Sequence, residues 1–484
     1  MSDHILHIAH VTSEMAPYAK SGGLGDVGAA LPKALGKLGH KVTVILPRYG
    51  RIPFPPGQFL GSVHVPSDSV PRSAGFYKTS PSPGVDVIFV EQPDLFDRPG
   101  LYGDQHGEYG DNRLRFAFLC RAALEFFRSR GERPHVFHAH DWQTGLLPVY
   151  LKAFYWNDPT LHRCPSVFTI HNAAYQGIFG RDTIGYLSLP WNLDTPDALE
   201  FHDGVSYLKG GVMFAELVNT VSPRHAGEIQ SREMGYGFDG VMRARSGDLS
   251  GILNGVDYEV WDPRHDHHIA RRYGDGDEAE GKAACKADLL RTVGLSEYPD
   301  DLVVGIVSRL VHQKGFDIVT GAWWDLLQRP IRMVVLGQGE RGVEDGFRHL
   351  ESRAPDRFRM LAENSETLAH KIVAGADALL VPSRYEPCGL TQMYALRYGT
   401  VPLVRNTGGL ADTVEPFGAE GGTGFRFEDP DGTGLVWALD QAIAAYRDRP
   451  RWDRLRREGM SRDFSWERSA RSYVELYRRA MERV

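Results

Sequence analysis

The chain has 484 residues, of which 42% are apolar, 24% charged and 11% aromatic, a globular composition long enough for roughly two to four domains. A formal charge of -7 without any basic run speaks against a nucleic-acid partner, and no apolar run approaches the roughly 20 residues that span a bilayer. Cys120, Cys164, Cys285 and Cys388 are scattered with no C-x-x-C pair, which excludes a disulfide framework or a zinc knuckle as an expectation. Met1-Ser2-Asp3-His4 runs into a strand pattern with no leader-like core, so a reducing cytoplasm is the expected compartment.

Ile5–Val11 reads as a short apolar strand, followed by Thr12-Ser13-Glu14 and the glycine-rich run Lys20-Ser21-Gly22-Gly23-Leu24-Gly25-Asp26-Val27. Val27, Ala30, Leu31, Ala34, Leu35 and Leu38 then recur at helical spacing, with Pro32 inside the run arguing against a straight helix. Val42–Leu46 is the next strand. Strand, glycine-rich turn, helix, strand is the order of a doubly wound sheet, and glycine there lets backbone approach a ligand closely. The spacing is neither G-x-G-x-x-G nor a P-loop, so neither of those sites is predicted. Residues 49–83 show little periodicity. Val85–Val90 reads as a strand, residues 93–112 as a long polar loop carrying Tyr102, of a length that is often functional, and Leu114–Phe127 as an amphipathic helix. Strands at Val136–Ala139, Val167–Ile170 and Leu217–Val221 lead into His138-Ala139-His140-Asp141-Trp142, His171-Asn172 and Ser222-Pro223. Polar residues just past a strand's carboxyl end lie where open α/β sheets bind ligands.

The pattern shifts around Gly247–Asp262. Asn254-Gly255-Val256-Asp257 and the polar segment Asp262–Glu280 mark a hinge and the start of a second domain. Its strands are read at Leu302–Val307, Met333–Leu336, Phe358–Leu361, Ala378–Val381, Val401–Val404 and Gly424–Phe427, alternating with helices, which again means a parallel sheet. The predicted spans are 1–250 for the first domain, 251–465 for the second, and a last helix in 466–484 packing back on the first. Ser308-Arg309-Leu310-Val311-His312-Gln313-Lys314-Gly315 places two cations five apart in a glycine-terminated loop, a pair that can clamp a diphosphate or stand as two solvated surface cations. In Ser383–Tyr394, Pro387 and Gly389 turn a strand into a helix. The amides of Gly389, Leu390 and Thr391 are there free donors for phosphate, and Glu386 either caps the turn or meets a sugar hydroxyl.

Seven motifs in order now carry a resemblance. They are Lys20–Val27, His138–Trp142, Thr169-Ile170-His171-Asn172, Asn254–Asp257, Ser308–Gly315, Glu386-Pro387-Cys388-Gly389-Leu390-Thr391-Gln392, and Asn406-Thr407-Gly408-Gly409-Leu410-Ala411-Asp412-Thr413-Val414. The series resembles that of bacterial glycogen synthases and plant starch synthases, glycosyltransferase family 5, over nearly the whole chain. The resemblance implies an α/β GT-B fold: two doubly wound Rossmann-like domains facing each other across a deep cleft. It implies glucose transfer from a nucleotide-sugar donor, usually ADP-glucose, to the non-reducing 4-hydroxyl of an α-1,4-glucan acceptor with retention of configuration.

On the same resemblance the catalytic set is Glu386, His171, Arg309, Lys314 and Asp141. Donor contacts fall to Lys20, Gly23, Arg309, Lys314, Cys388, Gly389, Leu390 and Thr391, and sugar or acceptor contacts to Asp26, Tyr102 and Asn254. Asp141 also fits an N-cap, and the Cys388 thiol fits packing better than nucleophilic work. Tyr394 stands where many GT-B relatives carry a second glutamate. His138-x-His140-Asp141 and His265-Asp266-His267-His268 are histidine-rich but lack a convincing ligand set, so no cofactor and no metal is expected; the positive clamp replaces a metal. Neither nucleic acid nor membrane is an expected partner, and monomer and homo-oligomer both stay open. Other readings are a transferase that builds a small sugar and a non-catalytic glucan-binding protein.

Overall fold

The computed structural model describes residues 4–68 and 70–484. Met1, Ser2 and Asp3, part of the stretch read as leaderless, lie outside the described residues. The chain divides into two compact units. One holds the residues up to Val221, Ala226–Ile252 and Trp466–Val484; the other holds Ser222–His225 and Leu253–Ser465. Among the described residues no helix is long and apolar enough to cross a membrane.

The first unit is built on a nine-stranded sheet. Its order is Leu249–Gly251, Leu217–Thr220, Ser166–Ile170, Val136–His140, His7–Val11, Lys41–Pro47, Val85–Glu91, Arg72–Ser82, Gln58–Val65. Every pair is parallel except the two at the Gln58–Val65 edge. That edge lies in residues 49–83, where the sequence shows little periodicity and no strand is read. Gln58–Val65 has exposed and half-buried residues on both faces, so no clean apolar alternation marks it. Helix Gly23–Lys37 runs unbroken through a buried Pro32. The polar loop at 93–112 contains a short helix, Pro93–Phe96, and a two-residue hairpin of Gly103–Asp104 with Gly107–Glu108. Helix Trp466–Met481 belongs to this unit: Tyr473 and Tyr477 are buried in its core, and the Tyr477 hydroxyl meets His138 Nδ1 at 2.8 Å.

The second unit has six parallel strands in the order Phe358–Leu361, Ile331–Leu336, Leu302–Val307, Ala378–Val381, Val401–Arg405, Phe425–Phe427. Helices cover both faces, which explains strands that are apolar at nearly every position. The period of two then sorts one strand into two cores. Leu302, Val304 and Ile306 pack on one face, while Val303 joins Leu289, Val334 and Leu379 on the other. In chain order these strands lie 3-2-1-4-5-6, with the direction of winding reversing between Leu302–Val307 and Ala378–Val381. Ser308–Gly315 and Pro382–Thr391 leave the sheet at that reversal.

Candidate active site

In the first unit the glycine-rich turn and Tyr102 meet at a residue that sequence reading passed over. Glu14 follows the first strand and is buried. Its Oε2 accepts the amides of Ser21 at 2.6 Å and Gly22 at 3.3 Å; its Oε1 accepts the Ser21 hydroxyl at 2.5 Å and the Tyr102 hydroxyl at 2.7 Å. One carboxylate thus fixes the glycine-rich turn and the long loop together. Its place directly after a strand was the available signal. Gly28 sits against the same segment: a Cβ there would lie 2.2 Å from the Glu14 carbonyl oxygen. Gly23 opens the helix, and a Cβ on it would meet nothing within 4 Å, so the turn presents bare backbone. Lys20 is half-exposed and paired with Asp26 at 2.6 Å.

Asp141 and His171 come from adjacent parallel strands. Asp141 makes no side-chain cap to its own short helix; its Oδ1 takes the His171 amide at 2.7 Å. The capping reading is therefore replaced by a cross-strand brace. Asp141 has φ 56°, a conformation that costs about 1–3 kcal/mol in a non-glycine residue and collects at functional sites. Burial pushes its carboxyl up to about 7, against the pull of the His171 and Asn172 amides. Burial also takes the His171 imidazole down to about 3, so it is neutral at physiological pH. His171 Nε2 meets His140 Nδ1 at 3.0 Å, and His140 Nε2 meets His10 Nδ1 at 3.2 Å. His10, His138 and His140 lie close enough to share a metal ion. His138 is already bonded at both nitrogens, to Tyr477 and Thr169, and His140 is bonded to its neighbours at both. Of these three rings, His10 alone has a nitrogen, Nε2, without a partner among the described residues, which favours a hydrogen-bonded row over a ligand set.

In the second unit the strand-reversal loops bring Lys314 onto Glu386. The ammonium pairs with Glu386 Oε2, which also accepts the Ser383 hydroxyl at 2.9 Å. Glu386 therefore does not cap the following helix, Thr391–Arg397, and no side chain caps it from Leu390. Both bonds fall on one oxygen, so Oε1 has capacity to spare. Arg309 is exposed and has no ion pair among the described residues; the two cations of the clamp thus differ in state. Gly408 and Gly409 press on the Glu386 loop from behind. Gly408 has φ 44°, a Cβ on it would lie 2.0 Å from the Glu386 carbonyl oxygen, and the Gly409 amide donates to that oxygen at 3.1 Å.

Cys388 is buried, and burial pushes its thiol up to about 12, against a bond from the Asn254 amide. It remains a protonated packing group at neutral pH. Asn254 is buried beside it with Oδ1 unpartnered among the described residues, an acceptor available to a ligand. Gly389 has φ 71° and starts the turn into Leu390 and Thr391. Asp412 Oδ2 takes the Ser222 hydroxyl at 2.5 Å and the Arg224 amide at 2.8 Å. Tyr394 is stacked flat on Trp261, ring centroids 4.1 Å apart.

Comparison with known proteins gives one answer along the whole length. A model of the starch synthase catalytic domain matches residues 7–244, and a model of group 1 glycosyl transferases matches residues 294–458. A glycogen synthase of Anaeromyxobacter sp. (strain Fw109-5) is 46% identical over 475 residues, 98% of this chain and 99% of the relative. A glycogen synthase of Koribacter versatilis (strain Ellin345) is 45% identical over 480 residues, 99% of each. Among solved structures, the catalytic domain of starch synthase IV from Arabidopsis thaliana, bound to ADP and acarbose, is similar with a TM-score of 0.89 at 35% identity, covering 99% of this chain and 100% of that one. Sucrose-phosphate synthase from Thermosynechococcus elongatus shares the fold at 17% identity and a TM-score of 0.60 over 98% of each chain. The two α/β units with their parallel sheets are those of GT-B glycosyltransferases, and the chain belongs to the bacterial glycogen synthase and plant starch synthase family.

Proposed function

We propose that this protein is a glycogen synthase that transfers glucose from ADP-glucose to the non-reducing 4-hydroxyl of an α-1,4-glucan with retention of configuration. The observation that carries the reading is the division of Glu386: one oxygen holds Lys314 and Ser383, and the other is left to accept a donor hydroxyl. As the bond from the anomeric carbon to the diphosphate oxygen breaks, negative charge grows on that oxygen. Lys314, Arg309 and the amides of Gly389, Leu390 and Thr391 stabilise it. The acceptor hydroxyl attacks from the face the diphosphate leaves, a new carbon–oxygen bond forms there, and the hydroxyl proton passes to the departing phosphate oxygen. Glu386 orients the sugar instead of bonding to it; its tie to Lys314 supports this role over that of a nucleophile. In the first unit, the His171 carbonyl stabilises the positive sugar, braced through the amide that Asp141 holds. Tyr102, Asp26 and Asn254 contact sugars, and Lys20 reaches the phosphates. Charge neutralisation by cations makes a metal unnecessary at the diphosphate.

The test is incubation with radiolabelled ADP-glucose or UDP-glucose and glycogen. Label in ethanol-insoluble polymer, greater with ADP-glucose, supports the reading. Label in a small soluble product favours a small-sugar transferase. No turnover by folded protein favours a glucan-binding protein.

A further inference from the structure

The histidine-rich stretch at 265–268 finds partners far away in sequence. Helix Glu366–Gly375 starts at a Ser365 cap, and Glu366 and His370 lie one turn apart on one face. His268 comes to that face from the 265–268 loop. One ligand atom from each of His268, Glu366 and His370 lies within 4.8 Å of the others. His370 is fully buried, and its Nε2 has no hydrogen-bond partner among the described residues. An imidazole nitrogen buried in this way needs an explanation, and here its ring belongs to a set of two imidazoles and a carboxylate.

The surroundings match those of a metal ligand set. His370 Nδ1 is bonded to Asp266 Oδ2 at 2.7 Å, the carboxylate–histidine arrangement that fixes tautomer and ring direction for a ligand. The same oxygen takes the Tyr398 hydroxyl at 2.6 Å, and Oδ1 takes the His268 amide at 2.8 Å. Asp266 thus orients one ligand by its ring and the other by its backbone. His268 Nδ1 meets the Thr367 hydroxyl at 3.1 Å. Trp261 stacks on the His370 ring with centroids 3.7 Å apart and an interplanar angle of 11°, and its other neighbour is Tyr394.

We infer that His268, Glu366 and His370 bind a divalent transition-metal ion, with zinc the best fit to a borderline set of two nitrogens and one oxygen. The site is separate from the Lys314–Glu386 clamp and takes no part in the transfer. Its role is to tie the 261–268 segment to helix Glu366–Gly375 and, through Trp261, to Tyr394 on the helix that follows the donor loop.

The test uses full-length protein carrying no polyhistidine tag, stripped with EDTA and dialysed. Cobalt(II) is titrated in and followed by its visible absorption bands, then displaced with zinc. The expected result is one equivalent of tetrahedral-type cobalt spectrum, displaced by one equivalent of zinc, with a higher thermal midpoint in zinc than in EDTA. Glu366→Gln and His268→Ala should each weaken binding by more than the roughly 10–100-fold that loss of an outer-shell partner costs. Both leave the buried His370 in place, so circular dichroism should stay that of the parent. His267→Ala, at an exposed neighbour, should bind as the parent does. The inference is overturned if no saturable binding is seen, or if Glu366→Gln binds as tightly as the parent while His267→Ala loses the ion.

Discussion

Asp141 holds the main-chain N–H of His171 at 2.7 Å, from the end of one strand to the end of its neighbour. The carboxyl titrates near 7 because burial raises it, while His171, near 3, stays neutral throughout. An ionised carboxylate grips an amide more strongly than a neutral acid does. Accordingly kcat/KM should rise through about pH 7 in the parent and lack that rise in Asp141→Asn. Stability should move the opposite way. The folded state holds this proton more tightly than the unfolded state, whose carboxyl has the ordinary value of 3.8. The stabilisation is complete below that value and fades as pH climbs through about 7. Melting curves of parent and Asp141→Asn across that range check the sign; superimposable pH profiles would dismiss the brace.

Lys314 and Arg309 should separate on mutation. Removing Lys314 strands a buried carboxylate, a loss of roughly 3–5 kcal/mol for fully buried pairs, and the 18% exposure of Lys314 sets this one near the lower end. Its kcat should also fall by about 10²–10³, as for a lost oxyanion donor. Arg309→Ala should show a comparable fall in kcat with an unchanged melting midpoint, because its exposed guanidinium has no ion pair among the described residues. Denaturation and steady-state kinetics on the two variants decide it.

Glu14→Ala should act on the donor. The turn carrying Lys20 loses a charged acceptor for two amides and a hydroxyl, each such bond being worth about 1.5–3 kcal/mol. We expect KM for the nucleotide sugar to rise roughly tenfold or more, with a smaller change in KM for glycogen. Equal effects on both substrates would mean that the turn serves stability alone.

Gly408→Ala should abolish most activity without any change in chemistry at the site. The new methyl would strike the Glu386 carbonyl at 2.0 Å from a backbone at φ 44°, and overpacking of this kind costs about 1–3 kcal/mol. Gly342→Ala, where a Cβ would meet nothing within 4 Å, is the matching control and should keep full activity.

Apolar strands buried along nearly their whole length were plain in the sequence: Leu302–Val307 and Ala378–Val381 start and stop where they were read, because continuous burial leaves a continuous apolar run. The Gln58–Val65 and Arg72–Ser82 hairpin was not legible, since an edge strand wet on two sides carries no such mark. Motifs at Arg309, Lys314 and Glu386 announced a site, yet not that Lys314 and Glu386 hold each other 72 residues apart. Glu14 escaped for a related reason: its four bonds reach Ser21, Gly22 and Tyr102, and only the last is distant enough in sequence to make it a hub.

The strand opening the first unit lies beside Val136–His140, yet the hydroxyl that meets His138 arrives on Tyr477, after the chain has laid down all of Leu253–Ser465. On the ribosome, then, the half begun earliest is the half completed last. A stalled or clipped product ending short of Trp466 would own an intact second unit and a first one open along the flank meant for Tyr473 and Tyr477, a greasy scar that chaperones and proteases are built to notice.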